Sequence, residues 1–144
     1  MKTVSRALLG LTIVAGLAAC GIFEDQTPEF LSFQMDGNPG DVATVIYSID
    51  FVSGVNETGV TRLEIFSADT VVHTLPIDTV IDIRRERQLF IQVETPVDTL
   101  HVSVRVDIDD RNIFAEMGDI FPELPWRYLY VFNRPVTDDL EVIF

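Results

Sequence analysis

The sequence predicts an all-β protein, an antiparallel β-sandwich of about seven to nine strands. Apolar and polar residues alternate with a period of two along most of the chain, as in strands that bury one face. Turn-forming residues recur at intervals of about 8–12 positions, and no long amphipathic helix pattern follows residue 20. These observations favour an immunoglobulin-like or fibronectin-type-III-like sandwich, with a small barrel as the alternative.

The strand candidates follow one another with little chain between them. The first is Phe30–Met35, after which the glycines, asparagine and proline of Asp36–Asp41 predict a turn. A long alternating run from Ala43 to Phe51 comes next, and the clearest alternation lies between Leu100 and Ile108. The remaining candidates are 63–65, 71–75, 79–83, 89–93, 112–117, 126–133 and 140–144.

The N-terminus has the composition of an export signal. Lys2 and Arg6 make it positive, and the 13 residues from Ala7 to Ala19 carry no charge. As a helix this run would be roughly 20 Å long, whereas the hydrocarbon core of a bilayer is about 30 Å thick. A cleavable signal peptide over residues 1–19 therefore fits better than a permanent transmembrane helix.

The apolar run ends in four residues that resemble the lipobox of bacterial lipoproteins: Leu17, Ala18, Ala19 and Cys20. The resemblance covers residues 1–20 and implies that a diacylglycerol is attached to Cys20, whose amino group is freed by cleavage and often acylated too. Cys20 is the only cysteine, so the chain cannot form an internal disulfide, and lipidation would remove an exposed thiol. By the same resemblance, Gly21 favours sorting to the outer membrane of a Gram-negative bacterium.

Cleavage would leave a strongly acidic chain of 125 residues. We expect a lipidated N-terminus and linker over 20–40 and a β-sandwich domain over 41–144. Loss of Lys2 and Arg6 moves the formal net charge from −13 to −15, and no lysine remains. Such a field repels nucleic acid and anionic lipid headgroups and favours cations or basic proteins. An acidic surface without lysine can also reflect a salt-rich habitat or genome composition.

One acidic segment is a candidate metal site. It places three carboxylates and an amide at a predicted strand end, on Asp107, Asp109, Asp110 and Asn112. Oxygen ligands of this kind suit Ca²⁺, which takes about six to eight of them in proteins. The glycine and the distal glutamate of an EF-hand loop are missing, and the alternative is a solvated hairpin turn.

A row of aromatic residues is the candidate ligand platform. Trp126, Tyr128, Tyr130 and Phe132 alternate along a predicted strand and would share one of its faces. Rings on a sheet can stack on a sugar or a peptide, so Trp126, Tyr128 and Tyr130 are the proposed contacts. Rings of this size also fill the core of a small sandwich, and this alternative stays open.

The other polar motifs do not indicate catalysis. Residues 84–87 form a basic cluster that suits a charged hairpin loop or a phosphate contact, and His73 and His101 lack a third clustered zinc ligand. The sequence contains no nucleophile elbow, phosphate-binding glycine loop or zinc-protease motif. We expect a non-enzymatic, lipid-anchored envelope protein with a protein partner and no cofactor beyond its lipid. The alternative is a lipoprotein that binds a small ligand or a glycan.

Overall fold

The structure, a computed structural model, describes residues 27–57, 59–131, 134–136 and 140–144, with 134–136 described as backbone only. The predicted signal peptide, the lipobox with Cys20 and the first part of the predicted linker lie outside the described residues, as does Phe132. Within the part of the chain that is described, no helix has the length and hydropathy that crossing a bilayer requires.

The described chain forms ten strands in two sheets. In chain order they are β1 (Phe30–Asp36), β2 (Val42–Val55), β3 (Thr61–Thr74), β4 (Ile77–Asp82), β5 (Gln88–Glu94), β6 (Leu100–Ile108), β7 (Arg111–Ile120), β8 (Trp126–Val131), β9 (Arg134–Val136) and β10 (Leu140–Ile143). A four-stranded sheet has the order β4-β1-β6-β7, and a six-stranded sheet has the order β10-β3-β2-β5-β8-β9. Strand pairs are antiparallel except β3 and β10, which run parallel. The prediction of an all-β sandwich is confirmed.

Strand β1 is part of the sandwich, although the sequence placed residues 20–40 before the domain. It pairs with β4 on one side and with β6 on the other, so it lies inside the four-stranded sheet. Leu31, Phe33 and Met35 are at most 1% exposed, since every second side chain of β1 points at the other sheet. The folded unit therefore begins before residue 41.

Strand β3 is continuous where the sequence predicted two separate strands, at 63–65 and 71–75. It pairs with β2 from Thr61, opposite Val55, to Thr74, opposite Val42. The side chains of residues 66–70 in its middle are exposed, so polar residues are tolerated there while the hydrogen bonds to β2 keep the backbone extended. The predicted break was wrong for this reason.

The main core lies between the two sheets. The four-stranded sheet contributes the alternating apolar residues of β6, which are at most 6% exposed: Leu100, Val102, Val104, Val106 and Ile108. From the six-stranded sheet, Leu89, Ile91 and Val93 belong to the same cluster and are fully buried. Each such side chain contributes about 1.5–3 kcal/mol when it leaves water, so this layer carries most of the stability of the fold.

A second apolar cluster lies on the other face of the six-stranded sheet. Its buried members are Phe51, Leu63, Ile65, Phe90, Leu129 and Leu140. Two register shifts between Tyr47 and Phe51 turn the strand, so Tyr47 packs on the main core while Phe51 joins the second cluster. Arg127 Nη1 donates a hydrogen bond to the carbonyl oxygen of Leu140 at 3.1 Å, which joins β8 to β10 across three intervening strands. The sheet therefore curls around this cluster.

Candidate functional site at the distal loops

The strand registers place the connections of the sandwich at two opposite ends. Phe30 pairs with Asp82, and Leu31 pairs with Ile108, so the start of β1 shares an end with the turns that follow β4 and β6. We call this the proximal end, because the described chain enters the sandwich there; it carries 56–57, 59–60, 83–87 and 109–110. The distal end carries 37–41, 75–76, 95–99 and 121–125.

Two connections of the distal end lie side by side, and we call them the distal loops. Residues 95–99 lead from β5 to β6, and residues 121–125 lead from β7 back to β8. At or next to the strand ends that flank these loops, Leu100 pairs with Ile120 and Val93 pairs with Trp126. Since paired strands are about 4.8 Å apart, the two loops form one continuous surface between the sheets.

The distal loops expose large apolar side chains. Val97 is 75% exposed, Leu124 is 67% exposed and Phe121 is 45% exposed. Pro96 and Pro122 beside them are exposed as well. Each Å² of apolar surface removed from water contributes about 25 cal/mol, so clustered groups of this kind favour burial against a partner.

Internal hydrogen bonds hold both loops in shape. Thr95 is 5% exposed, and its Oγ1 donates to the carbonyl oxygen of Asp98 at 2.6 Å. In the other loop the amide of Leu124 donates to the carbonyl oxygen of Phe121 at 3.0 Å, and two prolines fix their own backbone angles. A surface that is already ordered loses less conformational entropy when it binds.

The charge around the distal loops is mainly negative. The ends of the strands and the connections at the distal end carry seven carboxylates: Asp36, Asp41, Asp78, Glu94, Asp98, Asp119 and Glu123. Residues 36–42, 74–78, 94–100 and 119–126 contain no lysine or arginine. An apolar centre with an acidic surround suits a partner that presents apolar groups flanked by basic ones.

The predicted calcium ligands lie at the opposite, proximal end. Asp109 and Asp110 are the two central residues of the β6–β7 hairpin, with φ angles of 46° and 63°, as a type I′ turn requires. The carboxylate of Asp109 accepts hydrogen bonds from the backbone amides of Glu29 and Phe30 at 3.0–3.2 Å. This carboxylate therefore fixes the start of β1 to the turn.

The other two predicted ligands are also engaged with protein groups. The carboxylate of Asp107 accepts hydrogen bonds from Arg105 Nε at 2.8 Å and from Asn112 Nδ2 at 2.9 Å. Burial opposes ionisation of Asp107, but these hydrogen bonds and the charge of Arg105 lower its pKa overall. Among the described residues, no group of three or more His, Cys, Asp or Glu side chains is arranged to hold a metal ion. The hairpin-turn alternative accounts for this segment, and the calcium hypothesis gains no support.

The aromatic row packs mainly into the core. Tyr128 is fully buried and Tyr130 is 2% exposed, so the ligand platform predicted from these two rings is wrong. Trp126 is partly buried, stacks on Tyr128 with ring centroids 6.0 Å apart, and lies 6.0 Å from the ring of Phe33. The rings face inward because residues 126, 128 and 130 lie on the side of β8 that meets the four-stranded sheet. Burial raises the pKa of Tyr128 above the usual range of a phenol.

The remaining candidates are dispersed. His101 Nδ1 lies 2.6 Å from a carboxylate oxygen of Asp119 on the exposed face of β6 and β7. His73, on β3, is not part of this pair. Arg84 pairs with Asp82 at the proximal end, and its hydrogen bonds lower the pKa of that carboxyl group. These positions do not converge on one site.

The distal loops were not among the sites predicted from the sequence. Their signal was present, because Val97, Phe121 and Leu124 are apolar residues in proline-containing connections, where solvent-exposed turns favour polar side chains. Comparison of the chain with protein-family models, curated proteins and solved structures finds no match.

Proposed function

We propose that this protein is a lipid-anchored, non-enzymatic component of the bacterial cell envelope that binds a protein partner through its distal loops. The observation that carries the proposal is the group of exposed apolar side chains on these loops, Val97, Phe121 and Leu124. A single exposed apolar residue is ordinary on a protein surface. Three on adjoining, ordered loops favour a binding surface.

The anchor is proposed from the N-terminal sequence. Leu17–Cys20 at the end of an uncharged run supports lipidation of Cys20, and Gly21 supports attachment to the outer membrane. One acyl chain binds a bilayer only marginally, whereas two or more hold stably, so a diacylglycerol would be sufficient. Cys20→Ala should abolish both membrane fractionation and incorporation of labelled palmitate.

The two ends of the sandwich suit this arrangement. The chain enters at the proximal end, and the nine residues of β6 separate that end from the distal loops. At about 3.3 Å per residue, the loops lie roughly 30 Å from the point where the chain enters. A protein tethered at the N-terminus can therefore present the distal loops to a partner without burying them against its own membrane.

The chemistry of the surface indicates the kind of partner. Asp98, Asp119 and Glu123 lie beside the exposed apolar residues, so a basic protein with an apolar contact of its own would be complementary. Two short loops offer less than the roughly 800 Å² per partner of a standard interface. Met117 on β7 is 83% exposed, with Asp119 between it and Phe121 along the chain. We expect a complex of moderate affinity that forms and dissociates readily.

Site-specific crosslinking tests the proposed surface. A photoreactive amino acid at position 124 in the full, membrane-anchored chain should give one defined crosslinked protein in cells. The same probe in place of Val80 is the matched control, because Val80 is 64% exposed but lies on β4, away from the loops. Equal products from the two positions would contradict the proposal.

Substitution then tests the energetics. Leu124→Ser should weaken binding to the identified protein by about tenfold, since it removes roughly 1–2 kcal/mol of apolar burial. Val80→Ser should leave the affinity unchanged. If Leu124→Ser also has no effect, the distal loops are not the binding surface.

A further inference from the structure

Three arginines at the proximal end are exposed and have no ion pair with another described residue. Arg85 and Arg87 lie in the connection between β4 and β5, and Arg111 opens β7. Arg84 beside them is already engaged, because its Nε donates to Asp82 at 3.0 Å and its guanidinium lies 5.2 Å from the centroid of the Phe30 ring. Arg85, Arg87 and Arg111 are therefore available to an external anion.

These arginines border one surface. Across the four-stranded sheet, the residue pairs at the proximal end are Asp82 with Phe30, Leu31 with Ile108, and Ile108 with Arg111. With about 4.8 Å between neighbouring strands, the backbone of Arg111 lies roughly 15 Å from the end of β4. That end of β4 leads directly into the connection that holds Arg85 and Arg87.

The charge of the molecule is unevenly distributed between its ends. Counted to the second residue of each strand, the described proximal end carries five arginines and eight carboxylates, a net charge of −3: Arg62, Arg84, Arg85, Arg87, Arg111, Glu29, Glu57, Asp82, Glu86, Asp107, Asp109, Asp110 and Glu141. By the same count, the described residues of the distal end carry seven carboxylates and one arginine, Arg127, a net charge of −6. In the field of an anionic surface, this difference favours the orientation in which the distal end points away.

We propose that the proximal end faces the anionic headgroups of the membrane and that Arg85, Arg87 and Arg111 contact their phosphates. The guanidinium group is suited to this contact, since it can donate two parallel hydrogen bonds to phosphate oxygens. The inference rests on the proposed lipid anchor at Cys20. Although a net charge of −15 repels an anionic surface, the anchor holds the protein there, and the charge distribution then decides its orientation.

The length of chain between the anchor and the sandwich limits the other orientations. Cys20 precedes Thr27, the first described residue, by seven positions. A chain of that length spans at most about 25 Å, which is less than the roughly 30 Å between the two ends of the sandwich. The tether therefore allows the proximal end to lie at the headgroups, where fields act within a Debye length of about 8–10 Å, and is too short for the sandwich to invert fully above its anchor.

The orientation can be measured without natural lipidation. Cys20 is the only cysteine, so a chain that begins at Cys20 and contains every described residue can be coupled to a maleimide lipid in vesicles. Trp126 is the only tryptophan and lies at the distal end, where it serves as the donor for energy transfer to a dansyl-labelled headgroup. Transfer should be lower on phosphatidylglycerol-containing vesicles than on phosphatidylcholine vesicles, and the difference should vanish in about 1 M salt.

Single substitutions identify the contacts. Arg85→Gln, Arg87→Gln and Arg111→Gln should each raise transfer on anionic vesicles, since the preference for the proximal end falls by up to about fivefold per arginine. Arg105→Gln, on the middle of β6, removes the same charge, but it should raise energy transfer less than any of the three proximal substitutions. The proposal is overturned if vesicle composition has no effect or if Arg105→Gln has the same effect as the others. Because the coupling is chemical, failure of palmitate incorporation in cells would count against the anchor alone.

Discussion

Replacing Asp109 with alanine should release the start of β1 from the β6–β7 turn. The carboxylate of Asp109 accepts the backbone amides of Glu29 and Phe30 at 3.0–3.2 Å, and the amide of Asp109 donates to the carbonyl oxygen of Phe30 at 3.1 Å. Alanine removes the first two contacts and leaves the third. The substitution therefore tests one side chain that joins positions 80 residues apart in the sequence.

The expected loss has two parts. Each hydrogen bond at this exposed position contributes about 1 kcal/mol net, so loss of the carboxylate costs about 2 kcal/mol. Alanine at a φ angle of 46° adds about 1 kcal/mol, because a residue with a Cβ and no polar side chain disfavours the left-handed region. The free energy of unfolding of Asp109→Ala should therefore fall by about 3 kcal/mol.

Asp110→Ala is the matched control. Asp110 has a φ angle of 63° in the same turn, but its side chain has no interaction with another described residue. This variant should lose only the conformational part, about 1 kcal/mol. At about 4 °C per kcal/mol for a domain of this size, circular dichroism melts should fall by about 12 °C and 4 °C. Equal losses in the two variants would refute the reasoning, since the amide contacts would then contribute nothing.

Three further predictions concern the core and the surface. Tyr128→Phe should raise the free energy of unfolding by about 1 kcal/mol in urea titrations, because the Tyr128 hydroxyl is buried without a hydrogen-bond partner among the described residues. Since burial raises the pKa of Tyr128, the wild type should also lose stability as the pH rises above about 10, where an unfolded tyrosine ionises, and Tyr128→Phe should lose less. Arg127→Met should lower the unfolding free energy by about 1–3 kcal/mol and loosen β10, because the hydrogen bond to Leu140 is lost; unchanged amide exchange in β10 would contradict this. Arg84→Gln should raise the pKa of Asp82 towards its usual value in an NMR titration, and an unmoved midpoint would show that the pair does not form in solution.

The main-core strands were predictable because burial there is one-sided and regular. Leu100–Ile108 alternates without interruption in the sequence, and its apolar positions are the buried ones in the structure. The sequence predicted β5 as a strand, but it did not predict that both faces of β5 are buried. The second cluster covers one of those faces through the curl of the sheet, which depends on contacts between β8 and β10 that no local pattern encodes.

The aromatic row and the acidic turn show a different limit of the sequence. The alternation of Trp126, Tyr128 and Tyr130 correctly indicates one shared face, but the same pattern fits an inward or an outward face. Only the position of β8 opposite the four-stranded sheet decides between them. In the same way, Asp109 has the chemistry of a metal ligand, and its use as an acceptor for Glu29 depends on a strand pairing that joins distant parts of the chain.

The assignment of loops to the two ends depends on counting the strands correctly. From β1 to β8 each connection reverses the chain, so successive connections alternate between the proximal and distal ends. The alternation of the sequence suggests that β3 is split at 66–70, which would add one strand. Every later connection would then move to the opposite end of the sandwich. Residues 95–99 and 121–125 would then lie beside the membrane anchor, and Arg85 and Arg87 would point away from it. The course of β3 as one strand along β2, from Thr61 to Thr74, is thus what separates a partner-binding end from a membrane-facing end in the proposed arrangement.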